Sequence, residues 1–407
     1  MTGPGFNTVR VDLADRNADR NADRNYDARI GAGLLPSLPV AATAALGRDI
    51  RAACVVIDTN ARPHAALVTD ALRAAGAQLA EIEIHATEKA KSLETLEQIL
   101  TVMGKARLER ADPVIAIGGG ITGDLAGFAA ATYRRGVPVI QCPTTLLSMV
   151  DASVGGKTGV NLEVAGTLQK NMVGAFHQPA LVIADIDTLA TLPDREFHAG
   201  LAECIKHGLI DDTTPNDSTP NDATDHTPHL AWIEHALDQI LARNPDTLIQ
   251  LITRSVAFKA SVVRNDERET AKSGGGRALL NLGHTFAHAI ETLHHLSPTS
   301  NPADAPLLHG EAVGLGLIAA ATTAAHAGLA PQELPQHITH LLTRCNLPTR
   351  VAGLPDHQHI LALMGADKKT THGKLRLVLP CGQHRAMVVD NLDKAPILAG
   401  LESISLV

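Results

Sequence analysis

The sequence predicts two halves of different class: an α/β half with a parallel, Rossmann-like sheet over residues 1–195, and an all-helical half over 196–407. Three observations carry this. Before residue 196 the apolar runs are short, continuous and separated by helical stretches, the pattern of parallel strands covered on both faces. After it the chain turns to long Ala/Leu-rich segments with helical spacing. The 45% hydrophobic content supplies cores for both halves, and 407 residues suit two domains.

The elements follow in order. Residues 9–13 and 26–30 read as strands flanking 14–25, where Ala-Asp-Arg-Asn stands three times in tandem. Without an apolar face that repeat cannot pack, and reads as a solvent loop. Residues 53–57 (ACVVI), 79–84, 113–117 (PVIAI), 137–141 and 181–184 read as strands, with helices at 63–75 and 93–106. In the second half, 197–210, 231–243, 245–263, 279–294, 311–327 and 335–345 read as helices, and 375–379 is a candidate strand. Polar tracts at 211–229, with TPND twice, and at 297–306 read as inserted loops.

Composition excludes several classes. Lys plus Arg number 35 against 43 Asp plus Glu, a net charge of −8, so a nucleic-acid partner is not expected. Five widely spaced cysteines without Cys-x-x-Cys argue against a disulfide scaffold or a cysteine zinc module, and point to a reducing, cytoplasmic setting. No apolar run is long enough for a membrane span.

Four motifs carry chemistry. Gly118-Gly119-Gly120-Ile121-Thr122-Gly123-Asp124 follows the strand PVIAI and satisfies G-x-G-x-x-G, which lets a pyrophosphate approach bare backbone. The acid usual about 20 residues later is missing; the strand-end acid is Asp58, upstream. A dinucleotide site and a plain tight turn both remain open. Residues 143–158 (PTTLLSMVDASVGGKT) crowd Thr144, Thr145, Asp151 and Lys157 together; Asp151 stands where a P-loop needs glycine, so phosphate or nicotinamide contacts remain instead. Glu203 lies one helical turn from Lys206, His284 and His288 are spaced i, i+4, and His309 opens a later helix. One carboxylate and two or three imidazoles suit a zinc ion, although with 20 histidines some i, i+4 pairs arise by chance. Finally Lys206, Lys259, Arg264, Arg277, Lys368 and Lys369 could clamp an anion or be surface charges.

Taken in order, GGGITGDLAGFAAATYRRGVPVIQCPTTLLSMVDASVGGKTGVN, KNMVGAFHQP, TLPDREFHAGLAECIKHG, RALLNLGHTFAHAIE, HGEAVGLG and a late DKK resemble the 3-dehydroquinate synthase family of sugar-phosphate cyclases over most of 26–385. The resemblance implies a dehydroquinate synthase-like fold with an NAD-binding first domain and a metal- and substrate-binding second. It implies a lyase of the shikimate pathway that converts 3-deoxy-D-arabino-heptulosonate 7-phosphate to 3-dehydroquinate and phosphate with transient NAD reduction. It implies zinc, or cobalt, on Glu203, His284 and His309, and makes His288 a proton-transfer residue. NAD would meet Asp58, Asn60, Glu88, Lys91, Gly118, Gly119, Gly120, Asp124, Thr144, Thr145, Asp151, Lys170 and Thr191. Substrate would meet Asp151, Lys157, Asn171, Lys206, Lys259, Arg277, Asn281 and one of Lys368 or Lys369, with Arg135 reaching a partner subunit's phosphate site in a homodimer. The chain departs from the family in a longer approach to Lys170, Gln169 in place of glycine, extra residues before Arg277 and His309, and Ala287 in place of glycine. The rival readings are another sugar-phosphate cyclase, of valiolone or deoxy-inosose type, and a metal-dependent polyol dehydrogenase.

Overall fold

The computed structural model describes residues 6–13, 24–164, 167–210, 227–271, 275–299, 301–366, 375–382 and 385–406. Most of the sequence-predicted insertions 14–25 and 211–229, and both Lys368 and Lys369, therefore lie outside the described residues. The chain falls into two compact units, one formed by residues up to Pro193 with Arg243–Arg264, the other by most of the remainder. The sequence placed 245–263 in the helical half; the structure groups it with the sheet.

The first unit contains β1 (Phe6–Val11), β2 (Tyr26–Gly31), α1 (Leu38–Leu46), β3 (Ala52–Asp58), α2 (Arg62–Ala74), β4 (Gln78–Ile84), α3 (Leu93–Lys105), β5 (Val114–Gly118), α4 (Gly120–Thr132), β6 (Val139–Pro143), β7 (Lys157–Val164), β8 (Thr167–Phe176) and β9 (Leu181–Asp185). Seven strands form one sheet in the order β1-β2-β9-β6-β5-β3-β4, parallel except for the β1–β2 pair. Burial explains the continuous apolar runs. On β3, Ala53, Val55 and Ile57 pack into one core with Ile115 and Ile117 of β5. The alternate residues Cys54 and Val56 pack with Val114 and Ala116 into a second core on the opposite face. A strand covered on both sides has no solvent face, so its polar alternation disappears.

The antiparallel β7–β8 hairpin stands apart from this sheet, with a register shift between Val160 and Leu162. The sequence treated this stretch as a loop approach to Lys170. Gly159 and Gly174 face each other in the ladder; a Cβ on Gly159 would lie 2.7 Å from the Val173 carbonyl oxygen.

The remaining elements are α5 (Asp194–Ile210), α6 (His229–Leu241), α7 (Pro245–Asn265), which belongs almost wholly to the first unit, α8 (His284–Glu291), α9 (His309–His326), α10 (Leu334–Arg344), α11 (His357–Ala366), β10 (Arg376–Pro380), β11 (Ala386–Asp390) and α12 (Lys394–Ser403). Among the described residues the second unit is helical apart from the antiparallel β10–β11 hairpin, of which the sequence showed only the first strand. The expected helix over 279–294 is shorter. Gly283 adopts φ +75°, so a 3-10 turn over Gly276–Asn281 ends before it and α8 begins after it. No described helix is long and apolar enough to cross a membrane. The five cysteines form no disulfide.

Candidate active site

In the first unit the candidate residues gather at the C-terminal ends of β3, β5 and β6, where parallel sheets offer bare backbone and helix N-termini. Asp58 ends β3, and its carboxylate accepts the Asn60 amide at 3.0 Å. Burial raises the Asp58 carboxyl, against opposing contacts from the Asn60 amide, His85 and the Ala86 amide. Gly118 ends β5, and Thr144, just beyond β6, donates its amide to the Gly118 carbonyl at 3.0 Å. Gly118 is sterically required, and Gly119 and Gly120 are tightly packed. A Cβ on Gly118 would lie 2.6 Å from Thr122 Oγ1 and 2.8 Å from Asp58 Cβ, one on Gly119 3.3 Å from Thr145 Cγ2, and one on Gly120 3.1 Å from Ala152 Cβ. Thr122 Oγ1 is buried without a hydrogen-bond partner among the described residues. A bare glycine turn at a helix start, a strand-end acid and an orphaned hydroxyl fit a dinucleotide phosphate and ribose.

Beside α4 lies a second polar group. Lys91 Nζ contacts Asp124 Oδ2 and Asn171 Oδ1, each at 2.5 Å. Asn161 Nδ2 donates to the Glu88 carbonyl at 3.0 Å and its carboxylate at 2.9 Å, and Asn161 Oδ1 accepts the Asn171 amide at 3.0 Å. Lys170 Nζ lies 3.5 Å from Glu88 Oε1. Glu88, Lys91, Asp124, Lys170 and Asn171, scattered over 84 positions of sequence, thus meet around Asn161, a residue the sequence reading missed. Burial raises the Asp124 carboxyl, with Lys91 pulling the other way. Asp151 sits on a wide π-helical turn, Ser148–Ala152, where its carboxylate and carbonyl both engage the buried Lys259 of α7. Thr191 meets His64 of α2 at 2.7 Å, Asn60 and Lys157 are exposed, and exposed Arg135 holds φ +67°.

In the second unit three helices bring Glu203, His284 and His309 together. Glycine sets how closely they approach. A Cβ on Gly310, the second residue of α9, would collide with the Ala199 carbonyl of α5; one on Gly283, before α8, would lie 2.9 Å from the Gly316 backbone of α9. The three side chains offer ligand atoms all within 4.8 Å of one another. Glu203 Oε1 is 3.6 Å from His284 Nε2 and 3.4 Å from His309 Nε2, longer than ordinary hydrogen bonds. Donors bound at about 2.0–2.2 Å to one tetrahedral ion sit about 3.3–3.6 Å apart, so these separations fit a metal among them. Glu203 is fully buried and pairs with Lys206 on its own helix. Burial opposes protonation of His309, but the carboxylates of Glu291 and Glu203 outweigh it and push the imidazole up to about 10. The His288 ring lies 5.5 Å from that of His284, edge to face, so the i, i+4 pair does share a face. Arg277 is 1% exposed; its guanidinium donates to the Glu267 carbonyl at 2.7 Å, while Asn281 Nδ2 donates to Glu269 at 2.9 Å.

The comparisons with known proteins bear on both clusters. Residues 81–199 match the family profile described as "3-dehydroquinate synthase N-terminal", and 200–370 match "3-dehydroquinate synthase C-terminal". The chain belongs to the 3-dehydroquinate synthase family. It is 44% identical to the 3-dehydroquinate synthase of Halorhodospira halophila over 77% of this chain and 80% of that one. It is 41% identical to that of Paracoccus denitrificans over 96% of both. Among solved structures, 2-epi-5-epi-valiolone synthase from Streptomyces hygroscopicus, with NAD+ and Zn2+ bound, superposes with a TM-score of 0.76 at 25% identity, over 96% of this chain and 99% of that one. The sugar-phosphate cyclase fold thus joins a parallel, Rossmann-like sheet to a helical part.

For this member of the 3-dehydroquinate synthase family, sequence reasoning left three buried or bridging residues unassigned: Thr122, Asn161 and Glu291. Glu291 carried a usable signal. It follows His288 by three residues and His284 by seven, which puts all three on one face of α8.

Proposed function

We propose that the chain converts 3-deoxy-D-arabino-heptulosonate 7-phosphate to 3-dehydroquinate and phosphate, as a carbon–oxygen lyase dependent on NAD and one divalent metal. The observation that carries this reading is the convergence of Glu203, His284 and His309 in a chain whose two profile matches both describe 3-dehydroquinate synthase. When bound, NAD would supply a transient hydride acceptor and the metal would supply positive charge for the oxygen of the hydroxyl group whose carbon is oxidised.

The chain's own residues do the rest. Asp58, Asn60, Gly118, Gly119, Gly120, Thr144, Thr145 and Thr191 bind the dinucleotide on the sheet side, and the cluster of Glu88, Lys91, Asp124 and Lys170 holds its far part. Glu203, His284 and His309 hold the metal. His288, one turn from His284 and without a place in the ligand trio, moves a proton at its imidazole nitrogen. Arg277 and Asn281 hold the substrate carboxylate, with Lys206, Lys259 and Lys157 carrying positive charge for an anionic substrate. Asp151 orients Lys259, which it already contacts through both carboxylate and carbonyl. Asn171 completes the polar group around Lys91. Fixed geometry of this kind can contribute about 7–11 kcal/mol to the barrier reduction. Arg135, exposed on a left-handed turn, reaches the phosphate of a partner subunit in a homodimer. Five cysteines without a disulfide accord with a cytoplasmic setting.

The test is phosphate release by purified protein given catalytic NAD and a divalent metal. Release from the heptulosonate phosphate without net absorbance at 340 nm is the expected result. Release only from a carboxylate-free sugar phosphate would transfer the chain to the valiolone or inosose branch. NADH accumulating with simple polyols would make it a dehydrogenase.

A further inference from the structure

The two imidazoles of the proposed metal trio are held differently. His284 Nδ1 lies 3.2 Å from the Leu282 carbonyl, a neutral acceptor two residues away on its own chain segment. His309 Nδ1 lies 3.3 Å from Glu291 Oε1, a carboxylate from another helix. The Glu291 side chain is 7% exposed and that of His309 33%, so the carboxylate is shielded from water while the imidazole keeps an open side. With Nδ1 donating to Glu291, a neutral, metal-ligating His309 carries its lone pair on Nε2, the nitrogen 3.4 Å from Glu203. Glu291 also ends α8, the helix that His284 begins, so one eight-residue helix contributes a ligand at its start and the support for a second ligand at its end.

We infer that Glu291 is a positioning residue for the metal: it fixes the tautomer and ring orientation of His309 and, through its negative charge, makes that imidazole a stronger donor than His284. It touches neither substrate nor cofactor in this role. The physics is that of a carboxylate–histidine–metal relay, in which loss of the outer carboxylate costs about 10–100-fold in metal affinity. A buried carboxylate is also expensive to keep charged without a partner. Glu291 meets that cost through His309.

The inference rests on the reading of Glu203, His284 and His309 as the ligands, and the test separates the two. Co2+ and Zn2+ affinities are measured by chelator competition on the full-length protein without substrate, for wild type, His284→Ala, Glu291→Ala and Glu291→Gln. The expected result is near-complete loss of binding in His284→Ala, a 10–100-fold weakening in Glu291→Ala and a smaller loss in Glu291→Gln, whose amide oxygen still accepts from Nδ1. Long-range 15N–1H correlations of the His309 ring in the metal-loaded protein should show the Nδ1–H tautomer in wild type and Glu291→Gln, and a disturbed pattern in Glu291→Ala. A merely structural role would lower the melting temperature without moving that tautomer. Wild-type affinity in Glu291→Ala, or in Glu291→Gln should the alanine variant fail to fold, overturns the inference. Wild-type affinity in His284→Ala overturns the ligand assignment instead.

Discussion

The two units rely to different degrees on side-chain clamps and on close backbone packing. In the sheet unit, functional groups sit at strand ends and on a hairpin, and hold one another through long polar side chains: Lys91 with Asp124 and Asn171, Asn161 with Glu88, Lys259 with Asp151. In the helical unit, Glu203, His284 and His309 are set by backbone contacts where glycine is the only residue that fits. Side-chain clamps can give by rotating a torsion, and packed backbones cannot. Damage to the first kind of site should therefore be graded, and to the second abrupt.

That contrast can be broken by experiment. The largest effect is expected from His284→Ala, which should lower turnover by about a thousandfold or more and remove the bound metal, measured by phosphate release and elemental content. Next comes Gly310→Ala. Its new Cβ meets the Ala199 carbonyl, which should cost about 1–3 kcal/mol in chemical denaturation and weaken metal binding although no ligand has changed. Retention of both properties would show that α5 and α9 slide apart easily. Lys91→Met should weaken NAD about tenfold, by calorimetry, with metal affinity unchanged, because the altered contacts all belong to the sheet unit. The smallest effect is a pH dependence. The Asp124 carboxyl is raised in the folded chain, so the native state holds its proton more readily than the unfolded state. Its contribution to stability then falls as pH rises above the ordinary value of 3.8 through the folded value. Asp124→Asn removes this term, so its stability relative to wild type should improve across that window in urea titrations; a flat difference would mean that Lys91 fully offsets burial.

The sheet was legible because burial on both faces leaves an unmistakable trace. The runs 53–57, 113–117 and 181–184 fall within one residue of β3, β5 and β9 at every end. The β7–β8 hairpin was not, although Val160, Leu162 and Val164 alternate with Asn161 and Glu163. Glycines and exposed Leu168, Met172 and Phe176 blur the pattern on its second strand. The trio of Glu203, His284 and His309, spread over 81 and 25 positions, is named only through the family resemblance, because spacing leaves His288 an equal candidate; Glu291 shares a helix face with both histidines, but its partner shows only when His309 is placed beside it. Asn161 is hidden for the same reason, since its partners arrive from elsewhere in the chain.

The glycine contacts around the helical trio also bear on how such a site is found by mutagenesis. Truncating side chains detects a determinant by removing atoms, and at Gly283, Gly310 and Gly316 there are none to remove. What brings the ligands together there is a neighbouring backbone standing where a side chain would be, so a truncation scan would mark the ligands and pass over the reason they meet. A scan that adds one methyl group at each glycine would trace these close approaches instead.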